Sequence, residues 1–323
     1  MERHEQMENL IDLWETPSDH ETEGFDDNFM IAGWQQWADA GEISSGLPEY
    51  LVELTGAHKV GEIKPNGFYL FQIPGTHHLL RPVVKLVDGH RADMSVHKNE
   101  VYYAPLQDRG LYLFRGEEPH QKETLYAEAF FDLVEALNVS RVIAVGGVYG
   151  AMPYDREREV SCVYSLPRMK DELSRYAVRF SNYEGGSTIG TYLAHWAERR
   201  EIEFVVMYAF APAYEFSQLG LTLQGMRVER DWRAWYDLMR RIDYMLKLDL
   251  DLTDLEKRSR ELIAAWDAKI DELEQKHPEL NVRVYLEAIA KDFEERPFIP
   301  LDEAWDELGE LLEDMDEDAD KEK

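Results

Sequence analysis

Hydrophobic positions along this chain change period several times. Met7, Leu10, Ile11 and Trp14 fall at i, i+3, i+4 and i+7, one helical face, and Pro17 closes that stretch. This predicts a short amphipathic helix on an acidic tail, docking on its own body, a sister subunit or a partner groove. Phe29 to Ala32 reads as the first strand of the body. Ile43 to Leu54 reads as a helix, kinked or begun at Pro48, with Gly56 as its C-cap. Short β-like runs follow: His58 to Ile63, Phe68 to Ile73, Val83 to Val87, Val101 to Ala104 and Leu111 to Phe114. Turn signals such as Pro65-Asn66-Gly67 and Asp88-Gly89 separate them.

From Thr124 to Leu137 the period becomes helical. Arg141 to Val145, Val160 to Tyr164 and the nearly continuous apolar run Glu203 to Ala209 read as buried strands, with a helix from Thr188 to Arg200 between the last two. The alternation predicts parallel pairing through helical crossovers. After Pro212, Trp232 to Leu248, Leu252 to Glu274, Val282 to Phe293 and Leu301 to Met315 read as amphipathic helices. Thr253 with Glu256 suggests a capping box, and His277-Pro278 ends the longest helix. The predicted class is α/β: a mixed sheet flanked by helices, with a helical C-terminal extension. Four segments follow: an acidic N-terminal tail over 1–27, the body over 28–245, the extension over 246–315 and a disordered acidic end over 316–323.

Charge sharpens this division. The chain has 323 residues and a net charge of -30, with ten acids against one Arg in residues 1–28 and twelve acids against two Lys in residues 302–323. Such ends act as solubilising or interaction tails. The excess argues against nucleic acid, whose binding is dominated by phosphate neutralisation, and against anionic membranes. No apolar run approaches the roughly 20 residues of a membrane span, and the N-terminus lacks a basic-then-apolar signal pattern. The single cysteine, Cys162, sits in an apolar run and reads as a buried small hydrophobe in a reducing, cytoplasmic setting.

Candidate chemistry gathers in three stretches. Gly146-Gly147 follows the apolar run Val142 to Val145 and leads to Pro153 and Arg156; Gly185 to Gly190 opens a helix; Trp34 to Gly41 follows the first strand. Open α/β sheets place ligand and partner sites at the carboxyl ends of their strands, where these loops could meet. Asp39, beside Trp34 and Trp37, is read either as a helix cap or as a general base with its pKa raised by desolvation. Gly186, Ser187 and Thr188 either offer helix N-terminal N–H groups to an anion or allow close helix packing with a capping hydroxyl. The Gly185 turn lacks the lysine of a phosphate-binding loop, and no Gly-x-Ser-x-Gly elbow occurs. His77-His78, His90 and His97 have poor metal spacing, so no metal and no cofactor is expected.

The ordered set Ile31 to Gly41, Gly146-Gly147 with Pro153 and Arg156, Gly185 to Gly190, Ala211-Pro212-Ala213-Tyr214 and Tyr285-Leu286-Glu287 resembles the bacterial branch of the proteasome assembly chaperone two family. The resemblance spans roughly residues 28–295. It implies a phosphorylase/hydrolase-like α/β body, a helical C-terminal extension, homo-oligomers and protein partners, with Tyr214 joining the site candidates. Tyr154-Asp155-Arg156 stands where relatives more usually carry His-Thr-Arg. The last residues, Asp320-Lys321-Glu322-Lys323, do not form the hydrophobic–Tyr–any tail by which such chaperones dock on proteasome rings, so proteasome assembly is not carried over from the resemblance. The expectation is a non-enzymatic protein-binding or assembly factor. The alternative is a small-molecule-binding protein or enzyme in which Asp39, Arg156 and the Ser187-Thr188 turn line one pocket and Arg156 holds an anion.

Overall fold

One large mixed sheet carries most of the chain, and helices cover both of its faces. The computed structural model describes residues 10–15, 27–65, 67–72, 81–215 and 226–300. Its strands are β1 (Ile11–Leu13), β2 (Asn28–Gln35), β3 (His58–Ile63), β4 (Val84–Val87), β5 (His90–Met94), β6 (Glu100–Pro105), β7 (Gly110–Glu117), β8 (Val139–Gly150), β9 (Val160–Tyr164), β10 (Arg179–Phe180), β11 (Glu203–Tyr214) and β12 (Met226–Arg227). The main sheet runs β1-β3-β6-β7-β2-β8-β11-β9-β10, with β12 paired to β11 and with β4-β5 forming a separate hairpin. The four central strands β7, β2, β8 and β11 are parallel.

Period-two alternation explains why the central strands are apolar throughout: both sides are buried. On one side lie Ile31, Ile143, Val145, Val205 and Met207, covered by α1 (Ile43–Thr55). On the other lie Met30, Ala32, Val142, Ala144, Phe204 and Val206, covered by α2 (Glu123–Ala136). A four-residue turn of helix, α3 (Lys170–Leu173), adds Leu173 to the first side, and α4 (Ile189–Arg199) adds Leu193 and Ala197 to the second. The first side is completed by α5 (Trp232–Leu246), which buries Trp235, Leu238 and Ile242. The hairpin of α6 (Thr253–Lys276) and α7 (Val282–Asp292) has its own small core of Trp266, Ile270, Leu280 and Val282, built around Tyr214.

Several expectations change. Ile11–Leu13 is a strand, not a helix: it pairs antiparallel with Gly61–Ile63 and so docks on the chain's own sheet edge. The hydrogen bonds of that open edge outweigh the helical spacing of Leu10, Ile11 and Trp14; Met7 lies outside the described residues. Phe68 to Gln72 forms turns and irregular chain rather than a strand, with Phe68 buried in the core. β9 runs antiparallel to β11 although α4 lies between them in the chain: loop 151–159 reverses the chain after β8, which is itself parallel to β11. At the start of α6 the Asp251 carboxylate accepts the Thr253 N–H at 3.0 Å, so the cap is an Asx turn and not the Thr253 hydroxyl. The expected helix over 301–315 and the acidic end lie outside the described residues. Gly56 does end α1, at φ 66°, donating to the Glu53 carbonyl. Lys276 ends α6 just before His277-Pro278.

Loop 151–159 is held to α5 by buried charges. Arg158 donates through Nε to Asp231 Oδ2 at 2.9 Å and through Nη2 to Oδ1 at 3.2 Å, and both side chains are fully buried. Its Nη1 reaches the carbonyls of Tyr154 and Arg156, at 2.9 Å each. Nearby, Arg241 donates to Glu157 at 2.6 Å, and Glu157 accepts the Phe298 N–H at 3.0 Å. Removing one partner of such a pair strands the other charge in a low-dielectric interior. Asp231→Ala should therefore lower stability by about 3–5 kcal/mol in urea unfolding. An Arg158→Met/Asp231→Leu double variant should lose clearly less than the single one.

Candidate functional site

β2 and β8 end side by side, and the chain leaving β2 crosses back over β8. That crossing is backbone on backbone: the Gly147 N–H donates to the Ala38 carbonyl at 2.8 Å, and Asp39 bridges to Gly147. A Cβ at Gly147 would lie 1.9 Å from the Ala40 carbonyl oxygen, and one at Gly146 would lie 2.7 Å from the Tyr208 ring. The glycine pair therefore sits inside β8, not at a turn after it: Gly147 admits the crossing chain and Gly146 admits the Tyr208 ring. Asp39 is then fixed from beyond: its Oδ1 accepts the N–H groups of Ser44 at 2.9 Å and Ser45 at 2.8 Å, capping α1 across an intervening turn. The Ser44 hydroxyl donates to the Val145 carbonyl and accepts the Trp34 N–H, both at 2.8 Å.

The crossing loop, the ends of β8 and β11, the side of β9 and the Gly185–Thr188 loop enclose a cavity of about 680 Å³. Trp37, Asp39, Gly147, Gly186, Ser187 and Thr188 line it, so the three sequence stretches do meet at the carboxyl edge. Gly146 lies one residue deeper, behind Tyr208. Pro153, Arg156 and Tyr214 are elsewhere. Loop 151–159 turns away from the edge because Arg158 draws it onto α5; Arg156 is exposed, with Glu295 3.3 Å away. Tyr214 donates to the Met152 carbonyl at 2.7 Å and packs on Trp266, joining body to extension. None of the described residues lining the cavity is Lys or Arg. An anion held there by Arg156 does not fit this placement.

Further lining residues carry no motif: Tyr149, Ser161, Val163, Tyr183, Thr191, Tyr208 and Phe210. Their signal is alternation. Tyr208 and Phe210 continue the face of Phe204 and Val206: Tyr208 meets the first turn of α4, and Phe210 lies one step further along the strand. Trp37 and Tyr183 stand on different loops of the cavity, 76% and 74% exposed. The N-terminus of α4 is served from within: the Thr188 hydroxyl accepts the Thr191 N–H at 3.1 Å, and the Ile189 N–H reaches Glu118 Oε1 at 3.4 Å. The Tyr208 hydroxyl bonds to the side chains of both Thr188 and Thr191. Burial raises the pKa of Glu118, partly offset by that N–H. Cys162, in the floor strand β9, is buried and its thiol is pushed up to about 12, so it stays protonated. Among the described residues no group of three or more His, Cys, Asp or Glu is placed to hold a metal.

Burial also raises the Asp39 pKa, against the lowering effect of the Ser45 and Ser44 hydrogen bonds. A carboxyl whose folded pKa is raised favours folding most when protonated, so its contribution falls as pH rises above the ordinary value of 3.8. Asp39→Asn keeps the capping oxygen and removes the charge. At pH 7 it should be at least as stable as the parent, with the difference vanishing near pH 3, whereas Asp39→Ala should lose about 1–2 kcal/mol. Thermal melts across pH check both.

The sequence model of the PAC2 family matches residues 33–273. A PAC2 family protein from Streptomyces avermitilis has a similar structure at 22% identity, with TM-score 0.63, over 78% of this chain and 97% of its own. A Mycobacterium tuberculosis proteasome-assembly chaperone homologue matches at 21% identity and TM-score 0.63, over 76% of this chain and 94% of its own. The Pyrococcus furiosus protein described as an archaeal proteasome activator matches at 17% identity and TM-score 0.56, over 80% of this chain and 97% of its own. No curated protein matches the sequence.

Proposed function

This chain belongs to the PAC2 family, and we propose that it is a protein-binding assembly factor whose contact surface is the aromatic rim of the carboxyl-edge cavity. The observation that carries this reading is the pair Trp37 and Tyr183, large aromatic side chains left about three-quarters exposed around an apolar opening. Exposed aromatics beside a pocket match the composition of interface hot spots, where burial on binding supplies most of the energy. Asp39 supports the reading too, since its Oδ1 is engaged in capping α1.

The similarity to a Mycobacterium proteasome-assembly chaperone homologue and to a Pyrococcus proteasome activator makes a proteasome-type ring the first partner to test. Contact through the rim of the body would not require a hydrophobic tail. The cavity volume supports a second reading, a small-molecule site, because about 300–1,000 Å³ is usual for one.

Purified full-length protein should co-elute with ring subunits of the same organism in size-exclusion chromatography. Trp37→Ala and Tyr183→Ala should each weaken the complex at least about tenfold while leaving the melting temperature unchanged. Absence of a complex, or a complex indifferent to both variants, overturns the reading. Thermal stabilisation by a metabolite, lost in the same variants, would establish the second one.

A further inference from the structure

The carboxyl-edge cavity pairs aromatic rings with an acid. Trp37 and Tyr183 reach it from loops, Tyr149, Tyr208 and Phe210 from the ends of β8 and β11, and Asp39 is the one charged residue among the described lining. Elsewhere in the chain such rings pack on one another: Trp34 lies against Phe114 and Phe130, and Trp232 against Trp235. The rings of Trp37, Tyr183, Tyr208 and Phe210 meet neither another ring nor a cation among the described residues. Tyr149 does carry a cation, the Arg227 guanidinium, 5.6 Å from its ring centre. An aromatic ring presents the negative face of its quadrupole to the space beside it, and that face attracts a cation.

The acid selects the same ligand. Asp39 is half-buried and has no ion-pair partner among the described residues; the two backbone N–H groups on its Oδ1 orient the carboxylate without neutralising it. Glu118 lines a narrow recess that shares Ala38, Thr188 and Tyr208 with the cavity, and it too lacks a cation among the described residues. Burial raises the pKa of both acids, so each holds its charge at a cost that a nearby cation would offset. A neutral ligand leaves that cost in place, and an anion adds repulsion. The hydroxyls of Ser161, Ser187 and Thr191 stand on the same lining. They can accept from the three N–H donors of a primary ammonium, whereas a quaternary ammonium has none to give.

We propose that this cavity binds a primary alkylammonium group, with Asp39 as its counter-ion, the Trp37 and Tyr183 rings beside its charge and Val163 and Phe210 along its alkyl chain. The inference rests on the reading of this edge as the contact site and names what enters it. A lysine side chain of a protein partner and a free amine both carry the group, and they correspond to the two readings of the edge.

NMR titration of the purified protein tests this, with n-butylammonium as the probe, 1-pentanol as its neutral counterpart and valerate as the anionic one. The ammonium should bind at least about tenfold more tightly than 1-pentanol, and valerate should not bind. Asp39→Asn keeps the capping oxygen and should weaken n-butylammonium at least about tenfold while leaving 1-pentanol unchanged. Trp37→Leu keeps an apolar side chain and should weaken the cation alone, by about threefold or more. Equal binding of n-butylammonium and 1-pentanol overturns the inference, as does an Asp39→Asn variant that binds the cation like the parent. Ring subunits separate the sources. Their displacement by n-butylammonium assigns the group to a lysine of the partner; cation binding to a chain that forms no ring complex assigns it to a free amine and overturns the ring reading alone. A ring complex that depends on Trp37, in a chain with no preference for the cation, overturns this inference and leaves the ring reading standing.

Discussion

The contact of the 38–42 chain with Gly147 organises the carboxyl edge of the sheet. Its inner side is the backbone crossing on β8, close enough that only a glycine fits. Its outer side reaches the last helix of the body: the Gly41 carbonyl accepts the Asp231 N–H at 2.9 Å and the Trp235 indole N–H at 3.2 Å. Through Asp39 the same loop sets the start of α1. Sheet, both flanking helices of that face and the cavity rim thus share one short piece of backbone. Steric exclusion, more than any single attraction, sets its position.

Burial deepens that dependence. Asp231 caps α5 by accepting the Ala234 N–H at 3.0 Å while also holding Arg158. Asp237, fully buried, accepts the Arg158 N–H and the Arg233 guanidinium on one oxygen, while its Oδ1 has no hydrogen-bond partner among the described residues. Its pKa is pushed up to about 6 by desolvation. Charges so placed contribute little net stability, but they admit few alternative packings of loop 151–159. The loop's departure from the cavity follows from them.

Much of this was legible in the residues. Strands such as Val160–Tyr164 and His58–Ile63, and the helices after Pro212, follow from apolar periodicity and from turn and capping residues that act locally. The meeting of the Trp37, Gly147 and Gly186 stretches followed from the general geometry of α/β sheets. What escaped detection depends on partners distant in sequence. Ile11–Leu13 is a strand because an open edge at β3 receives it, and nothing within ten residues says so. Arg156 looked like a pocket residue because Arg158, two positions on, conceals a buried acid more than seventy residues away. Tyr208 and Phe210 line the cavity only because α4 begins where it does.

The crossing loop has a further consequence for the order in which the molecule acquires its shape. Gly41 is joined to residues 190 and more positions later in the chain, and closing so long a loop carries an entropic cost that local helices avoid. A growing polypeptide that stops short of α5 has the strands but not the clamp on this loop. The cavity rim is thus completed late, from elements near both ends of the body. Binding competence at this edge would therefore report that the whole body has been synthesised and folded.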